Sequence, residues 1–229
     1  MKSYWSIPGP YEAPENEHCL AFYKYDGSNL RFEWNKKRGW YKYGTRRRLF
    51  DAADPEYGRA IELFQNRYAD ALHKTFTTHK DYKSRDQIVA FCEFYGEDSF
   101  AGYHNFDKPF EVMLIDIEIH KKGFVLPRQF VDDFSHVTKA PLVYEGPFNE
   151  YFIEGVQNNK LGYTLKEGVV AKGTITGRNP QHSLWFSKVK TNWWFEELKN
   201  KAQYIEGLKQ VLEENQREQS VKKPQTNNS

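Results

Sequence analysis

Alternation of apolar and polar residues recurs in five stretches of the chain and predicts β-strands. Successive side chains of a strand point to opposite faces of a sheet, so a strand with one buried face alternates in this way. The alternating stretches are also rich in aromatic residues, which favours strand over helix. They comprise residues 18–34, 86–95, 110–119, 165–172 and 183–190.

Apolar residues at three- and four-residue spacing predict helices among and after these strands. Asp54 followed by Pro55 is a favourable helix start, because an acidic N-cap and a proline in the first turn both suit a helix N-terminus. The predicted helices run from Asp54 through Ile61, Phe64, Tyr68 and Leu72, from Pro127 through Phe130 and Phe134, and from Asn149 through Phe152 and Val156 to Gly162.

The irregular mixture of strands and helices favours an α+β fold with largely antiparallel sheets over a doubly wound parallel fold. From Trp193 onward, apolar residues recur at helical spacing and predict one terminal helix over residues 193–216. The residues after it are wholly polar and charged, so 217–229 are predicted to be disordered. We therefore predict one globular domain over residues 1–192, a C-terminal helix and a tail.

Composition narrows the class of protein further. With 39% hydrophobic and 17% aromatic residues, the chain is typical of a folded globular protein. Cys19 and Cys92 are far apart and predict two buried thiols, and neither a disulfide framework nor a zinc site. A net charge of +2 does not by itself indicate nucleic-acid binding. No apolar run has membrane-spanning length and the first residues lack a signal-peptide core, so we expect a soluble protein of the cytoplasm.

One lysine lies inside an apolar strand, in the sequence A-F-Y-K-Y-D-G-S-N at 21–29. Period-two geometry puts Lys24 and Asp26 on the same face of that strand. Desolvation favours the neutral amine of a lysine, and enzymes use such amines as nucleophiles on carbonyl or phosphoryl centres. The alternative is an ordinary strand-edge lysine that pairs with Asp26.

Three segments downstream strengthen the nucleophile interpretation. F-C-E-F-Y-G at 91–96 places Glu93 among aromatic residues, where a lone carboxylate is costly to bury. K-E-G-V-V-A-K-G follows at 166–173 and W-F-S-K-V-K at 185–190. Alternation projects Lys188 and Lys190 from one face of a strand, and two such lysines repel unless an anion lies between them. A nucleotide phosphate is the obvious candidate.

In this order the segments resemble the covalent nucleotidyltransferase superfamily of DNA ligases, RNA ligases and mRNA capping enzymes. The resemblance covers residues from about 20 to 190 and implies the nucleotidyltransferase fold, with antiparallel sheets and flanking helices, for the catalytic domain at 1–192. Lys24 to Asn29 resembles motif I, Phe91 to Gly96 motif III, Glu111 to Ile119 motif IIIa, Glu167 to Lys172 motif IV, and Lys188 to Lys190 motif V.

Asn29 is informative within this superfamily, since DNA ligases and capping enzymes usually carry arginine at that place. The asparagine is similar to the RNA ligase 2 branch of bacteriophages, which implies an ATP-dependent RNA ligase of RNA repair, although Asp26 resembles the DNA ligase version. A minimal DNA ligase therefore stays an alternative. In motif IIIa the residue that stacks on adenine is either Met113 or Ile115.

The resemblance also implies a mechanism and a set of site residues. Lys24 attacks the α-phosphorus of ATP, AMP passes from the lysine to a 5′-phosphate end, and a 3′-hydroxyl finally displaces it. Glu167 is expected to bind Mg²⁺ or Mn²⁺, and Glu93 to hold the ribose hydroxyls. The remaining nucleotide-binding residues are expected to be Asp26, Gly27, Asn29, Arg46, Lys172, Lys188 and Lys190.

The densest basic stretch of the chain, from Arg31 to Arg48, has aromatic residues interleaved with its cations. Cations follow a phosphate backbone and aromatic faces stack on bases, so a nucleic-acid surface is predicted here. A solvated hairpin with a charged edge is the alternative. One of Arg46, Arg47 and Arg48 occupies the place of a motif Ia arginine that contacts phosphate. The predicted nucleic-acid contacts are Lys36, Lys37, Arg38, Arg47 and Arg48.

Two further functions compete with the ligase. A GTP-dependent capping enzyme shares the lysine chemistry but adds an oligonucleotide-binding barrel, for which residues 191–229 are too short. A non-catalytic nucleic-acid-binding module would keep the fold without turnover. The favoured interpretation is a minimal catalytic domain, monomeric and without a membrane partner, that acts on RNA or nicked duplex. An accessory protein could help to bind the substrate. A phage-encoded enzyme would act in the host cytoplasm.

Overall fold

The computed structural model describes residues 3–220, with side chains as far as Arg217. The chain folds into two compact units. The first joins the N-terminal residues up to Trp5 to Asp26–Ala140, and the second joins Ser6–Tyr25 to the residues from Pro141 onward. None of the helices among residues 3–220 has the length and apolar character needed to cross a membrane.

The elements are numbered in chain order. The strands are β1 (His18–Lys24), β2 (Ser28–Asn35), β3 (Gly39–Thr45), β4 (Leu49–Phe50), β5 (Gln87–Gly96), β6 (Phe110–Ile119), β7 (Gly123–Phe124), β8 (Leu142–Pro147), β9 (Gly168–Thr174) and β10 (Leu184–Lys190). The α-helices are α1 (Gly58–Phe64), α2 (Asp70–Thr78), α3 (Pro127–Asp133), α4 (Glu150–Gln157), α5 (Asn192–Ala202) and α6 (Glu206–Ser220).

The first unit is built on a six-stranded antiparallel sheet in the order β4-β3-β2-β5-β6-β7. Its apolar face packs against α1 and α2 because every second residue of β2 is large and apolar. Phe32 stacks on Phe64 with ring centroids 3.9 Å apart, and Trp34 meets Phe76 edge to face at 5.3 Å. These four side chains are fully buried, and each contributes roughly 1.5–3 kcal/mol by leaving water.

The second unit is built on a four-stranded antiparallel sheet in the order β10-β9-β1-β8. One face packs on α4, where Phe152 and Val156 are fully buried against the small residues Ala21 and Ala171. Asn149 caps α4 by accepting the Phe152 N–H at 3.0 Å. The predicted α+β class with antiparallel sheets and flanking helices is confirmed.

Several predicted boundaries are wrong. The predicted strand 18–34 is two strands, because the chain leaves the extended conformation at 25–27 and each half pairs in a different sheet. The predicted strand at 165–172 begins only at Gly168. The first helix begins at Gly58 rather than Asp54, because the Asp54 carboxylate accepts the Glu56 and Tyr57 N–H groups and holds a turn instead. A π-helical segment at 65–69 separates α1 from α2.

The helix predicted from Asn149 to Gly162 ends at Gln157, since Asn159 adopts a φ of 55° that a helix cannot continue. The terminal helix predicted over 193–216 is also wrong as one element. The chain breaks at 203–205, where the Lys201 carbonyl accepts both the Tyr204 and Ile205 N–H groups, and α6 then packs back on α5. This bend buries Leu208 completely. Residues 217–220 of the predicted tail belong to α6, and 221–229 lie outside the described residues.

Candidate active site

Four lysines lie on one face of the four-stranded sheet, the face opposite α4. The antiparallel registers place Lys24 opposite Gly168 and Gly168 opposite Lys190, with Lys172 and Lys188 further along the same face. Cross-strand neighbours on one face lie close together. The second unit therefore brings together the predicted nucleophile and the predicted phosphate-binding lysines.

Glu167 joins two of these lysines. Its Oε2 accepts a hydrogen bond from Lys24 Nζ at 2.8 Å, and its Oε1 lies 3.1 Å from Lys190 Nζ. The side chain of Glu167 is 4% exposed and that of Lys190 is 10% exposed, whereas that of Lys24 is 21% exposed. Of the three charged groups, Lys24 is therefore the most open to an incoming substrate.

Burial changes the protonation behaviour of this cluster. Desolvation lowers the pKa of Lys190 to about 8, against the opposing attraction of Glu167. Desolvation would raise the pKa of Glu167, but the ammonium groups of Lys24 and Lys190 outweigh it and the pKa falls below its ordinary value. Glu167 is thus a carboxylate at neutral pH. An anion close to Lys190 would favour its charged form.

The other two lysines of the face have different surroundings. Lys172 is 3% exposed, and its ammonium lies 4.7 Å from the ring centroid of Phe22 and 5.6 Å from that of Phe186. These contacts are cation–π interactions. Lys188 is half-buried, and its backbone N–H donates to the Pro8 carbonyl at 2.9 Å along the outer edge of β10.

The backbone around Glu167 is fixed by two neighbours. Gly168 has a φ of +147°, and a Cβ there would lie 2.0 Å from the carbonyl oxygen of Val189, so glycine alone lets β9 approach β10 this closely. Thr191 donates its N–H to the Glu167 carbonyl at 2.9 Å and its hydroxyl to the Lys166 carbonyl at 2.7 Å. Thr191 also caps α5 by accepting the Trp194 N–H. The Trp194 ring centroid lies 3.3 Å from Lys190 Nζ.

The first unit places Asn29 and Glu93 side by side. They are cross-strand partners in β2 and β5, and Met113 of β6 is the next partner of Glu93. Both polar residues are half-buried, on the face opposite α1 and α2. Of the two adenine-stacking candidates, Met113 is 5% exposed and contacts the Tyr68 hydroxyl through sulfur at 3.9 Å. Ile115 is half-buried at a β-bulge.

The same face carries buried charges that the sequence analysis did not single out. Arg31 is 2% exposed and donates to Glu33 at 3.1 Å and to the Thr45 carbonyl. Asp116 is equally buried and accepts a hydrogen bond from Tyr4, whose pKa is raised by burial and by this carboxylate. The alternation of Arg31 and Glu33 with Phe32 and Trp34 was the available signal.

The basic stretch divides into two exposed groups at opposite ends of β3. The turn between β2 and β3 contains Lys36, Lys37 and Arg38. The second group, Arg46–Arg48, follows the end of β3. The seven residues of β3 separate them by roughly 20 Å. All six side chains are exposed, but Arg48 pairs with Asp54 and with Glu56 at 2.9 Å, which raises its pKa. Arg46 donates to the Trp5 carbonyl at 3.3 Å.

A divalent ion fits Glu167 only in part. Mg²⁺ is commonly held by one or two carboxylates together with substrate phosphates and water, so a single carboxylate beside a phosphate site is a suitable donor. Both Glu167 oxygens contact ammonium groups, and an ion would replace one of these contacts. Within residues 3–220, three metal-ligating side chains converge at His79, Asp81 and Asp133, which belong to the other unit.

Comparison with solved structures returns RNA ligases. Naegleria gruberi RNA ligase solved with AMP and manganese superposes with a TM-score of 0.60 at 13% identity, covering 85% of this chain and 57% of that one. The same protein solved with pyrophosphate gives a TM-score of 0.57 at 15% identity, covering 87% and 58%. These matches show a shared fold. The chain spans less than three fifths of the length of these RNA ligase chains.

No curated protein matches the chain by sequence. A family model described as RNA ligase matches residues 17–184. The matched segment begins just before β1 and ends at the first residue of β10, and it contains Lys24, Glu93 and Glu167. The match covers well over half of the chain, so this protein belongs to the RNA ligase family.

Proposed function

We propose that this protein is an ATP-dependent RNA ligase that joins 3′-hydroxyl and 5′-phosphate ends through a lysyl-AMP intermediate. The observation that carries the proposal is the cluster of Lys24, Glu167 and Lys190 on a lysine-rich face. This face concentrates positive charge where a nucleotide phosphate needs it, and the side chain of Lys24 is more exposed than that of Lys190 or Glu167.

In the first step, Nζ of Lys24 attacks the α-phosphorus of ATP as a neutral amine. The N–P bond forms, the bond from the α-phosphorus to the bridging oxygen breaks, pyrophosphate leaves, and the proton lost by Nζ passes to water. Glu167 holds Nζ in place through its 2.8 Å hydrogen bond. Lys188 and Lys190 stabilise the charge that develops on the phosphate oxygens.

The next two steps move AMP and then release it. A 5′-phosphate oxygen attacks the lysyl-AMP phosphorus, which frees Lys24 and leaves an adenylylated end. A 3′-hydroxyl then attacks the phosphate of that end and AMP leaves. Covalent catalysis splits one difficult joining into easier displacements.

Glu167 is the residue that would hold Mg²⁺ or Mn²⁺ together with the nucleotide phosphates, and the ion would neutralise phosphate charge there. The ATP and AMP complexes of Naegleria gruberi RNA ligase, solved with manganese, support the choice of ATP and a divalent ion. Glu93 and Asn29 are proposed to bind the ribose hydroxyls, on the strength of their motif positions and their pairing.

Labelling tests the proposal directly. The protein is incubated with α-labelled ATP or GTP and magnesium and then separated under denaturing conditions. We expect label from ATP on the wild type, a loss of at least about 1,000-fold in Lys24→Ala, and full labelling of Lys160→Ala, an exposed lysine of the same unit. Labelling by GTP in place of ATP would favour a capping enzyme, and labelling by neither would favour a binding module.

Joining assays test the choice of RNA. Asn29 and the family match favour an RNA strand as donor of the 3′-hydroxyl, because a 2′-hydroxyl lets a protein distinguish RNA from DNA. Matched nicked duplexes with RNA or DNA at that end should be sealed faster with RNA. Equal or faster sealing of the all-DNA nick would instead support a DNA ligase.

A further inference from the structure

The turn that precedes β2 is hydrogen-bonded to a loop that lies outside the motifs identified in the sequence. This 97–109 loop connects β5 to β6. The Asp26 carboxylate accepts the Ala101 N–H at 2.8 Å. Gly27 lies against β5, since a Cβ there would approach the Phe94 carbonyl oxygen to 2.4 Å. The turn is therefore held on both sides within the first unit.

His104 makes the central hydrogen bonds between the turn and the loop. Its Nε2 lies 2.8 Å from Ser28 Oγ and its Nδ1 lies 2.8 Å from Ser99 Oγ. Ser99 Oγ also accepts the Gly96 N–H at 2.8 Å, which ties the loop to the end of β5. Ser28 Oγ further lies 3.4 Å from the Tyr57 hydroxyl. One imidazole thus joins the first residue of β2 to the end of β5.

The loop itself is well braced. Phe100 and Tyr103 exchange two backbone hydrogen bonds, and the residues between them, Ala101 and Gly102, both have positive φ. Such a turn is of the type that closes tight hairpins. Arg59 then donates to the Lys108 carbonyl at 3.1 Å. His104 therefore lies in a loop that is held by its own hydrogen bonds and by Arg59.

The hydrogen bonds suit a neutral histidine. Ser99 Oγ accepts the Gly96 N–H and can donate its hydroxyl proton to His104 Nδ1, in which case Nε2–H donates to Ser28. Burial lowers the pKa of His104 below its ordinary value, which favours this neutral form. In that tautomer Ser28 receives a hydrogen bond from His104.

Strand geometry places this contact behind the nucleotide-binding residues. Ser28 and Asn29 are successive residues of β2, so their side chains point to opposite faces of the sheet. Asn29 shares its face with Glu93, while Ser28 shares the other face with Leu30. His104 thus contacts the helix-side face, and its effect on Asn29 is through the backbone of β2.

We propose that His104 is a positioning residue for nucleotide binding, which fixes the start of β2 through Ser28 and so sets the direction of the Asn29 side chain. The inference rests on the proposed function, because it assigns Asn29 to the nucleotide. It predicts that His104 and Ser28 act as one unit.

The test is the rate of lysyl-AMP formation across ATP concentrations for the wild type, His104→Ala, Ser28→Ala and the double variant. Each single change should raise the KM for ATP about 10-fold with a smaller change in maximal rate, because small displacements of binding groups are costly. The double variant should be no worse than the worse single variant, since both remove the same hydrogen bond.

Two further replacements of His104 distinguish a hydrogen-bonding role from a role in packing alone. Glutamine can place an amide N–H near the Nε2 position and keep the Ser28 contact, whereas asparagine reaches only the Nδ1 position. We expect His104→Gln to recover most of the wild-type KM and His104→Asn to behave like His104→Ala. His136→Ala is the matched control, because His136 also contacts a hydroxyl, that of Thr75 at 2.9 Å, outside this turn. It should leave KM unchanged.

The outcomes separate the two proposals. If wild-type protein is labelled by ATP and His104→Ala keeps its KM, or the two single effects add, the positioning role is overturned and the proposed function stands. If the wild type is not labelled by ATP, both are overturned. Should His104→Ala fail to fold, Ser28→Ala and His104→Gln decide the question alone.

Discussion

The two sheets of this protein each carry one polar face, and the two faces have opposite charge. On the four-stranded sheet, four lysines share one face, and two of them contact Glu167. On the six-stranded sheet, the buried carboxylates Glu33, Asp116 and Glu118 accompany Arg31, with Glu93 and Asn29 beside them. The first pattern suits an anion, and the second suits hydroxyl groups that donate hydrogen bonds.

The difference separates two demands of a nucleotide-transfer reaction. Phosphate charge must be neutralised in the transition state, which concerns rate. A sugar contributes the same hydrogen bonds before and during the reaction, which concerns affinity. Substitutions on the lysine face should therefore reduce maximal rate, and those on the carboxylate face should raise KM.

The largest effect is expected from Glu167→Gln. The change removes the carboxylate that favours the charged form of the buried Lys190, so the pKa of Lys190 should fall further. Less positive charge then faces the phosphate, and lysyl-AMP formation should fall by about 1,000-fold. Phosphate or pyrophosphate should then raise the melting temperature of the variant more than that of the wild type, because an anion can replace the lost carboxylate. Thermal denaturation with and without pyrophosphate measures this, and an equal shift in both proteins would contradict the assigned charge balance.

Gly168→Ala should reduce lysyl-AMP formation by about 100-fold, because the added Cβ must push the β10 backbone and Lys190 out of place. Gly177→Ala provides the control. Gly177 also has a positive φ, of +76°, but nothing lies within 4 Å of its Cβ position. It should lose only about 1 kcal/mol of stability and keep its activity. Comparable losses in both variants would assign the effect to backbone strain alone.

Glu93→Gln should raise the KM for ATP about 10-fold with little change in maximal rate, since one hydrogen bond to a charged group contributes roughly 1.5–3 kcal/mol. The comparison can be sharpened with 2′-deoxy- and 3′-deoxy-ATP. If Glu93 binds a ribose hydroxyl, the variant should discriminate less against one of these analogues. Undiminished discrimination against both would place Glu93 elsewhere.

The smallest effect on chemistry is expected from Leu208→Ala, in α6 of the second unit. Leu208 is fully buried, and removing such a side chain costs about 2–5 kcal/mol of stability. Labelling below the melting temperature should stay within about 2-fold of the wild type. Tyr204→Ala, at an 87% exposed position, should change stability by less than about 0.5 kcal/mol. A large loss of labelling in folded Leu208→Ala would show that α6 participates in the reaction.

The lysine face was predictable because strand alternation is a strong and local signal. Lys24, Lys188 and Lys190 lie within alternating stretches, and the period of two assigns their faces before any tertiary structure is known. Glu167 was expected beside them from its motif, yet the structure alone shows that its two oxygens divide between Lys24 and Lys190.

The rest depended on contacts between distant parts of the chain. Alternation predicts the face on which Arg31 lies, but it does not show that Arg31 donates a hydrogen bond to the Thr45 carbonyl. The strand β8 was missed because its short segment has no regular alternation. The terminal helix was predicted as one element because its apolar spacing runs past the bend, which depends on the packing of α6 on α5.

The pairing of β1 with β9 also has a consequence for the timing of synthesis. Lys24 and Glu167 are 143 positions apart, and ribosomes add about 5–20 residues per second, so roughly 7–29 s separate their appearance. During that interval β1 lacks β9 throughout and lacks β8, at residues 142–147, for most of the time. The proposed nucleophile, Lys24, is thus translated early but reaches its partners late, and chaperones would meet β1 as an unpaired apolar strand in the nascent chain.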